Sequence, residues 1–75
     1  MTRLPRVSGR KIVQALSSAG FRPERQRGSH VFLKHPDGRA TVVPVHGNEI
    51  IGPGLMSKTL KDCEFETEDF LKMLD

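Results

Sequence analysis

Apolar residues along this 75-residue chain change period three times, and each change marks an element. Ile12, Ala15, Leu16 and Ala19 follow the i, i+3, i+4, i+7 spacing of an amphipathic helix, and Ser8 stands where an N-cap oxygen is needed. Gly20 suits the left-handed position that closes a helix, with Phe21 folding back on the last turn. The first helix is therefore expected over 9–19. The helical period then vanishes from Phe21 to Arg27, a stretch whose Pro23 fits only an edge or a strand start.

Residues 29–35 alternate, and 39–45 are rich in β-branched side chains. His35-Pro36-Asp37-Gly38 between them predicts a hairpin turn, with proline presetting φ and glycine taking a positive φ. Pairing Lys34 with Ala40 gives the cleaner partition of the two strands. Val31, Leu33, Thr41, Val43 and Val45 then form an apolar face, while His30, Phe32, Lys34, Val42 and Pro44 form the opposite one. A loop from Gly47 to Gly54 leads to a second helix expected over 55–63, with Met56, Leu60 and Cys63 on one stripe. Thr67 is the expected cap of a last helical turn carrying Phe70, Leu71 and Leu74. The order is α-β-β-β-α plus a terminal turn, an α+β fold with a three-stranded antiparallel sheet and the helices on one face.

Size narrows the possibilities. A chain this short buries only ~60% of the surface it exposes when unfolded, so residues 1–75 are read as one domain with one core. Separate substrate and cofactor domains do not fit. The lone Cys63 rules out an internal disulfide framework. No apolar run reaches the ~18–20 residues of a membrane span, and no charged start leads into a signal-peptide core. A cytoplasmic protein with no membrane partner is expected.

Charge is uneven. Residues 1–39 carry nine Lys/Arg against two acidic groups, a net of +7, whereas 40–75 carry three against seven, a net of −4. A polyanion-facing side and an acidic far end follow, or else an unevenly solvated surface.

The stretch with most chemistry is Arg25-Gln26-Arg27-Gly28-Ser29-His30, a histidine opening a strand just after a glycine. Arg25, Arg27, Lys34 and Arg39 surround it along the chain. Imidazole is the side chain that exchanges protons near neutral pH, and cations hold phosphate and offset developing charge. RNA supplies its own nucleophile, the 2′-hydroxyl, so neither a protein nucleophile nor a metal is required. Gly28 would let backbone approach a phosphate, and Phe32 on the same face could stack a base. Taken singly, each has a plain alternative: a solvated histidine, strand arginines, a turn glycine, a core phenylalanine. A zinc site from His30, His35, His46 and Cys63 lacks the paired short spacing of such sites, and His30 and His35 point to opposite faces of a strand. Cys63 reads as a core thiol.

With these residues in view, the chain resembles the HicA family of toxin–antitoxin systems. The resemblance runs through Ala19-Gly20-Phe21, Arg25 to His30, His35 to Arg39, Val43-Pro44-Val45-His46, and the helix start from Gly54 to Leu60. It implies a double-stranded-RNA-binding-like fold and a ribosome-independent mRNA interferase. The histidine of the Gly-Ser-His segment, here His30, would be catalytic. The resemblance further implies a HicB-type antitoxin partner and no metal or other cofactor. His46 occupies the Pro-x-His position, with a structural or substrate-positioning role. RNA contacts are expected from Arg25, Arg27, Gly28, Ser29, Phe32, Lys34 and Arg39, and the free toxin is expected to be a monomer. The alternative is a non-catalytic RNA-binding module on the same basic face. The second helix departs from the family in reading Leu55-Met56-Ser57-Lys58-Thr59-Leu60 where a more basic, threonine-led run is usual, and the acidic C-terminal segment is unusual too.

Overall fold

The computed structural model describes residues 4–74. Helix α1 (Gly9–Ser18) is followed by strands β1 (Arg22–Arg27), β2 (His30–Lys34) and β3 (Ala40–Pro44), then by helices α2 (Pro53–Cys63) and α3 (Thr67–Met73). The strands form an antiparallel sheet in the order β1-β2-β3. α1 and α2 cover one face of it, and α3 packs on α1.

The periodicities place the core. Ile12, Ala15 and Leu16 of α1 are buried against Val31, Leu33, Thr41 and Val43 of the sheet, with Met56, Leu60, Cys63 and Phe70 closing the other side. The β2–β3 register pairs Lys34 with Ala40 and His30 with Pro44, as the hydrophobic partition requires. Asp62 of α2 accepts a hydrogen bond from the buried Thr41 hydroxyl at 3.0 Å and an ammonium contact from Lys58 at 2.9 Å. Burial pushes the Cys63 thiol up to about 11, so it stays protonated through the neutral range.

Ser8 caps α1, its side chain accepting from the Lys11 N–H at 3.3 Å. At the other end Gly20 takes φ +101°. The Phe21 N–H reaches the Leu16 carbonyl at 3.0 Å, and the Gly20 N–H the Ser17 carbonyl at 3.1 Å. This paired closure is the Schellman motif. α2 ends by the same device, with Phe65 donating to Leu60 at 3.0 Å and Glu64 to Lys61 at 3.1 Å. There the left-handed residue is Glu64, at φ 58°.

Two element starts differ from the sequence reading. α2 begins at Pro53, whose fixed φ and missing N–H suit a first helical turn. Thr67 does not cap α3. Glu66 holds the cap position in extended conformation and Thr67 is the first helical residue, because Glu64 and Phe65 are consumed in closing α2.

The two closures meet at Arg39. Its guanidinium lies 5.2 Å from the ring centres of both Phe21 and Phe65. It also donates to the Cys63 carbonyl at 2.6 Å and to Asp37 Oδ2 at 2.8 Å. The Asp37 carboxyl is held below its ordinary value by the Arg39 backbone N–H and guanidinium. The β2–β3 turn carries the rest of this assembly. His35 accepts the Asp37 N–H on Nδ1 at 3.1 Å and sets its ring edge-on to Phe21, 5.0 Å away.

Replacing Arg39 with alanine removes a charged hydrogen bond and two cation–π contacts, and is expected to cost about 2–4 kcal/mol in urea unfolding. Arg39→Lys should recover little of this, since an ammonium lacks the planar fork that reaches both Asp37 and the Cys63 carbonyl while lying against two rings. Glu64→Gly should raise stability by about 0.5–1 kcal/mol by relieving the left-handed backbone. Gly20→Ala should lower it, because its Cβ meets His35 Nε2 at 2.8 Å in addition to the φ strain. Thermal melts of the two variants would move in opposite directions.

Candidate functional site

The face of the sheet away from the helices is uncovered, and its composition follows from register. Cross-strand partners point to the same side, so Arg27 sits beside His30, Arg25 beside Phe32 and Arg22 beside Lys34. The register shifts between Pro23 and Arg25, a β-bulge at Glu24. Strict alternation would put Arg22 and Arg25 on opposite faces; the extra residue brings them to one. Arg22, Arg25, Arg27 and Lys34 thus form a cationic tract across β1 and β2, all exposed. The Arg25 guanidinium stacks on Phe32, 4.9 Å from the ring centre. An open depression of about 700 Å³ spans Glu24, Arg25, Phe32, Lys34, Val42 and Lys58, and stops short of His30.

His30 opens β2 at the rim of this face, exposed and without a side-chain hydrogen bond among the described residues. It is held there from both sides, by Arg27 across the β1–β2 hairpin and by Pro44 of β3. The hairpin loop is two residues, Gly28-Ser29. Gly28 takes φ 58° at the first position, as in a type II′ turn, with open space where a Cβ would stand. Its glycine is thus required by backbone conformation. Gln26 Nε2 donates to the Gly28 carbonyl at 3.0 Å and steadies the loop.

Ser29 joins the loop to the segment after β3. Its carbonyl accepts the Val45 N–H at 2.6 Å, and its hydroxyl lies 2.9 Å from His46 Nε2. His46 therefore sits at the same rim as His30. The Glu49 N–H donates to the His46 carbonyl at 2.9 Å, with Gly47 at φ 52° turning the chain back.

Of the residues expected to meet RNA, the structure gathers Arg25, Arg27, Gly28, Ser29, Phe32 and Lys34 on or beside one face with His30. Arg39 is not among them: its guanidinium is turned to the helix side, committed to Asp37, the Cys63 carbonyl and two phenylalanine rings. His35 lies on that side as well, and Cys63 is in the core, so no three His, Cys, Asp or Glu side chains converge among the described residues.

Two contributors escape a reading by sequence. Arg22 joins the cationic tract only through the bulge, which has no glycine or proline of its own to announce it beyond Pro23. Gly9 is the other: buried at the start of α1, it packs on the Pro44 carbonyl, where any Cβ would overlap the oxygen.

Fold and face together define a small α+β protein with an open cationic sheet and an imidazole at its rim. The family described as HicA toxin of bacterial toxin–antitoxin matches residues 9–65, and the chain belongs to that family. It is a toxin of a toxin–antitoxin system. No protein with a curated description matches it.

Gly9→Ala must push the end of β3 away from α1, and with it the strand position paired to His30. The expected result is a loss of about 1–3 kcal/mol in thermal or urea unfolding, with amide shifts in an NMR spectrum concentrated at 29–31 and 43–46.

Proposed function

We propose that this toxin is a metal-independent endoribonuclease that cleaves mRNA on the open face of its sheet, with His30 as general acid/base. The observation that carries the reading is an exposed imidazole, free of side-chain hydrogen bonds among the described residues, at the edge of a four-cation tract. The tract attracts a phosphodiester backbone, and its guanidinium groups offset charge as the phosphorane forms. Arg25, Arg27 and Lys34, joined by Arg22, hold phosphates. Phe32, backed by the Arg25 guanidinium, offers a ring on which an unpaired base can stack. His46 serves as a positioning group through Ser29. Arg39 belongs to the framework.

Attack by the 2′-hydroxyl on the adjacent phosphorus needs no protein nucleophile and leaves a 2′,3′-cyclic phosphate as first product. A HicB-type antitoxin in the same cytoplasm would silence the toxin most directly by covering this face. Glu66, Glu68 and Asp69 lie at the start of α3, on the helix side, while Glu24 of the β1 bulge borders the depression beside Arg25.

Long single-stranded RNA incubated with the protein in EDTA should be cut. His30→Ala, with an unchanged circular dichroism spectrum, should be slower by about 10²–10⁴-fold. Cutting by the alanine variant at the parental rate would remove His30 from the mechanism. Salt-sensitive binding without scission by either protein would instead favour a non-catalytic RNA-binding module.

A further inference from the structure

Strand scission through the 2′-hydroxyl moves two protons, one off O2′ and one onto the departing O5′. A single imidazole serves one of these at a time. The rim of the sheet holds a second, His46, tied to the hydroxyl of the residue next to His30. That bond is 2.9 Å long and joins residues 17 apart in sequence. The sheet does not need it for closure, since the ladder already ends in the backbone bond from Val45 to Ser29 at 2.6 Å. A solvent-exposed side-chain pair of this kind contributes little to stability, so its function lies in where it puts the hydroxyl.

We propose that Ser29 and His46 are the second proton-transfer device of the site. Ser29 Oγ is the group that touches the leaving oxygen, and His46 is the positioning residue that resupplies its proton. The proposal rests on the RNA-cleaving reading above. In the step, His30 takes the proton of the 2′-hydroxyl while the O2′–P bond forms and the P–O5′ bond breaks. O5′ receives the Ser29 hydroxyl proton, and Ser29 Oγ receives the proton on His46 Nε2. One imidazole gains a proton and the other loses one, and no electrons leave or enter. Regeneration is a simple exchange of both rings with water, to which both are open.

Glu49, in the same loop as His46, shares a small cleft with Pro44, His46 and Ile51 and places a carboxylate on that side. Arg27 and His30, paired with each other, flank the two-residue loop that carries Ser29. α1 meets β3 through Gly9 and brings the cations Arg10 and Lys11 in a first turn without carboxylates; the first turn of α2 has none either.

The test compares two oligoribonucleotides, one all-oxygen and one with sulfur in place of O5′ at the cleaved bond. A thiolate leaves without being protonated, so the sulfur substrate needs the base but not the acid. His46→Gln can keep a hydrogen bond to Ser29 but cannot carry the proton. On the oxygen substrate, His46→Gln and Ser29→Ala are expected to lower kcat by about a hundredfold or more with KM little changed. They should also lose the alkaline fall of the kcat–pH profile. On the sulfur substrate both should return to within a few-fold of the parent, whereas His30→Ala stays slow on both.

Equal losses on the two substrates would mean that His46 only shapes the loop, and would overturn the proposal. So would parental kcat for both variants on the oxygen substrate, while the role of His30 stood. A parent protein that cuts neither substrate would remove the RNA-cleaving reading and this inference together.

Discussion

One guanidinium holds the molecule together at the end remote from His30. Arg39 leaves the sheet just after the β2–β3 turn and enters the gap between the C-terminal ends of α1 and α2. The last carbonyls of a helix are electron-rich and lack intrahelical partners, so a cation that donates to the Cys63 carbonyl satisfies one of them and complements the helix dipole. Two aromatic rings, edge-on to each other with centres 6.1 Å apart, lie against the cation, and their positions are fixed by the helix closures themselves, Phe21 after α1 and Phe65 after α2. Phe65 passes the contact on to the fully buried Phe70, 6.4 Å away in a stacked arrangement. One side chain thus ties the closures of α1 and α2 to the β2–β3 turn. In a chain of 75 residues with so little apolar surface to bury, such a junction replaces core that the protein is too small to have.

That arrangement clears the other face of the sheet. Because both helices and α3 are gathered on the inner side, the outer side keeps only its own strand residues, and register decides which they are. The hydrophobic demand of Val31, Leu33, Thr41 and Val43 fixes β2 and β3 so firmly that His30, Phe32 and Lys34 have no alternative to facing out. β1 has no buried residue within it and takes its place by pairing alone. This is why a bulge is tolerated there and why four cations can crowd an edge strand and its neighbour. They also protect that edge, since a charged, bulged strand is a poor template for pairing with another chain.

The helix and hairpin pattern was legible because its signals are local. Ser8, Gly20 and the Pro36-Asp37-Gly38 run each act within one turn of where they stand, and the β2–β3 register followed from the apolar partition. What was not legible came from contacts between distant residues. Glu64 closes α2 in a conformation that glycine normally marks, so nothing in its identity announced it, and the start of α3 was displaced with it by one residue. Arg39 looked like one more phosphate-binding cation, because charge is visible in a sequence and the direction of a long side chain is not. Membership of the face for Arg22 depends on one inserted residue in β1. For the site, the sequence showed which groups lie near one another along the chain, Arg25 to Lys34. It did not show that the loop at 46 returns to Ser29.

The same ladder that is anchored by Arg39 at one end sets the precision of the rim at the other. His30 is positioned through its backbone, between Arg27 and Pro44, so its imidazole stays free for a ligand. Pro44 has no N–H to offer the ladder, and its carbonyl is instead seated on Gly9, the one residue small enough to let α1 approach that closely. Helix, strand end and the rim that carries His30 are thereby joined through direct backbone contact, with no flexible side chain between them. For the RNA-cleaving role proposed above, a group that meets a phosphodiester within a few tenths of an ångström is better carried on such a support than on a loop. The buried glycine at the start of α1 is thus as much a part of the site's geometry as the histidine it never touches.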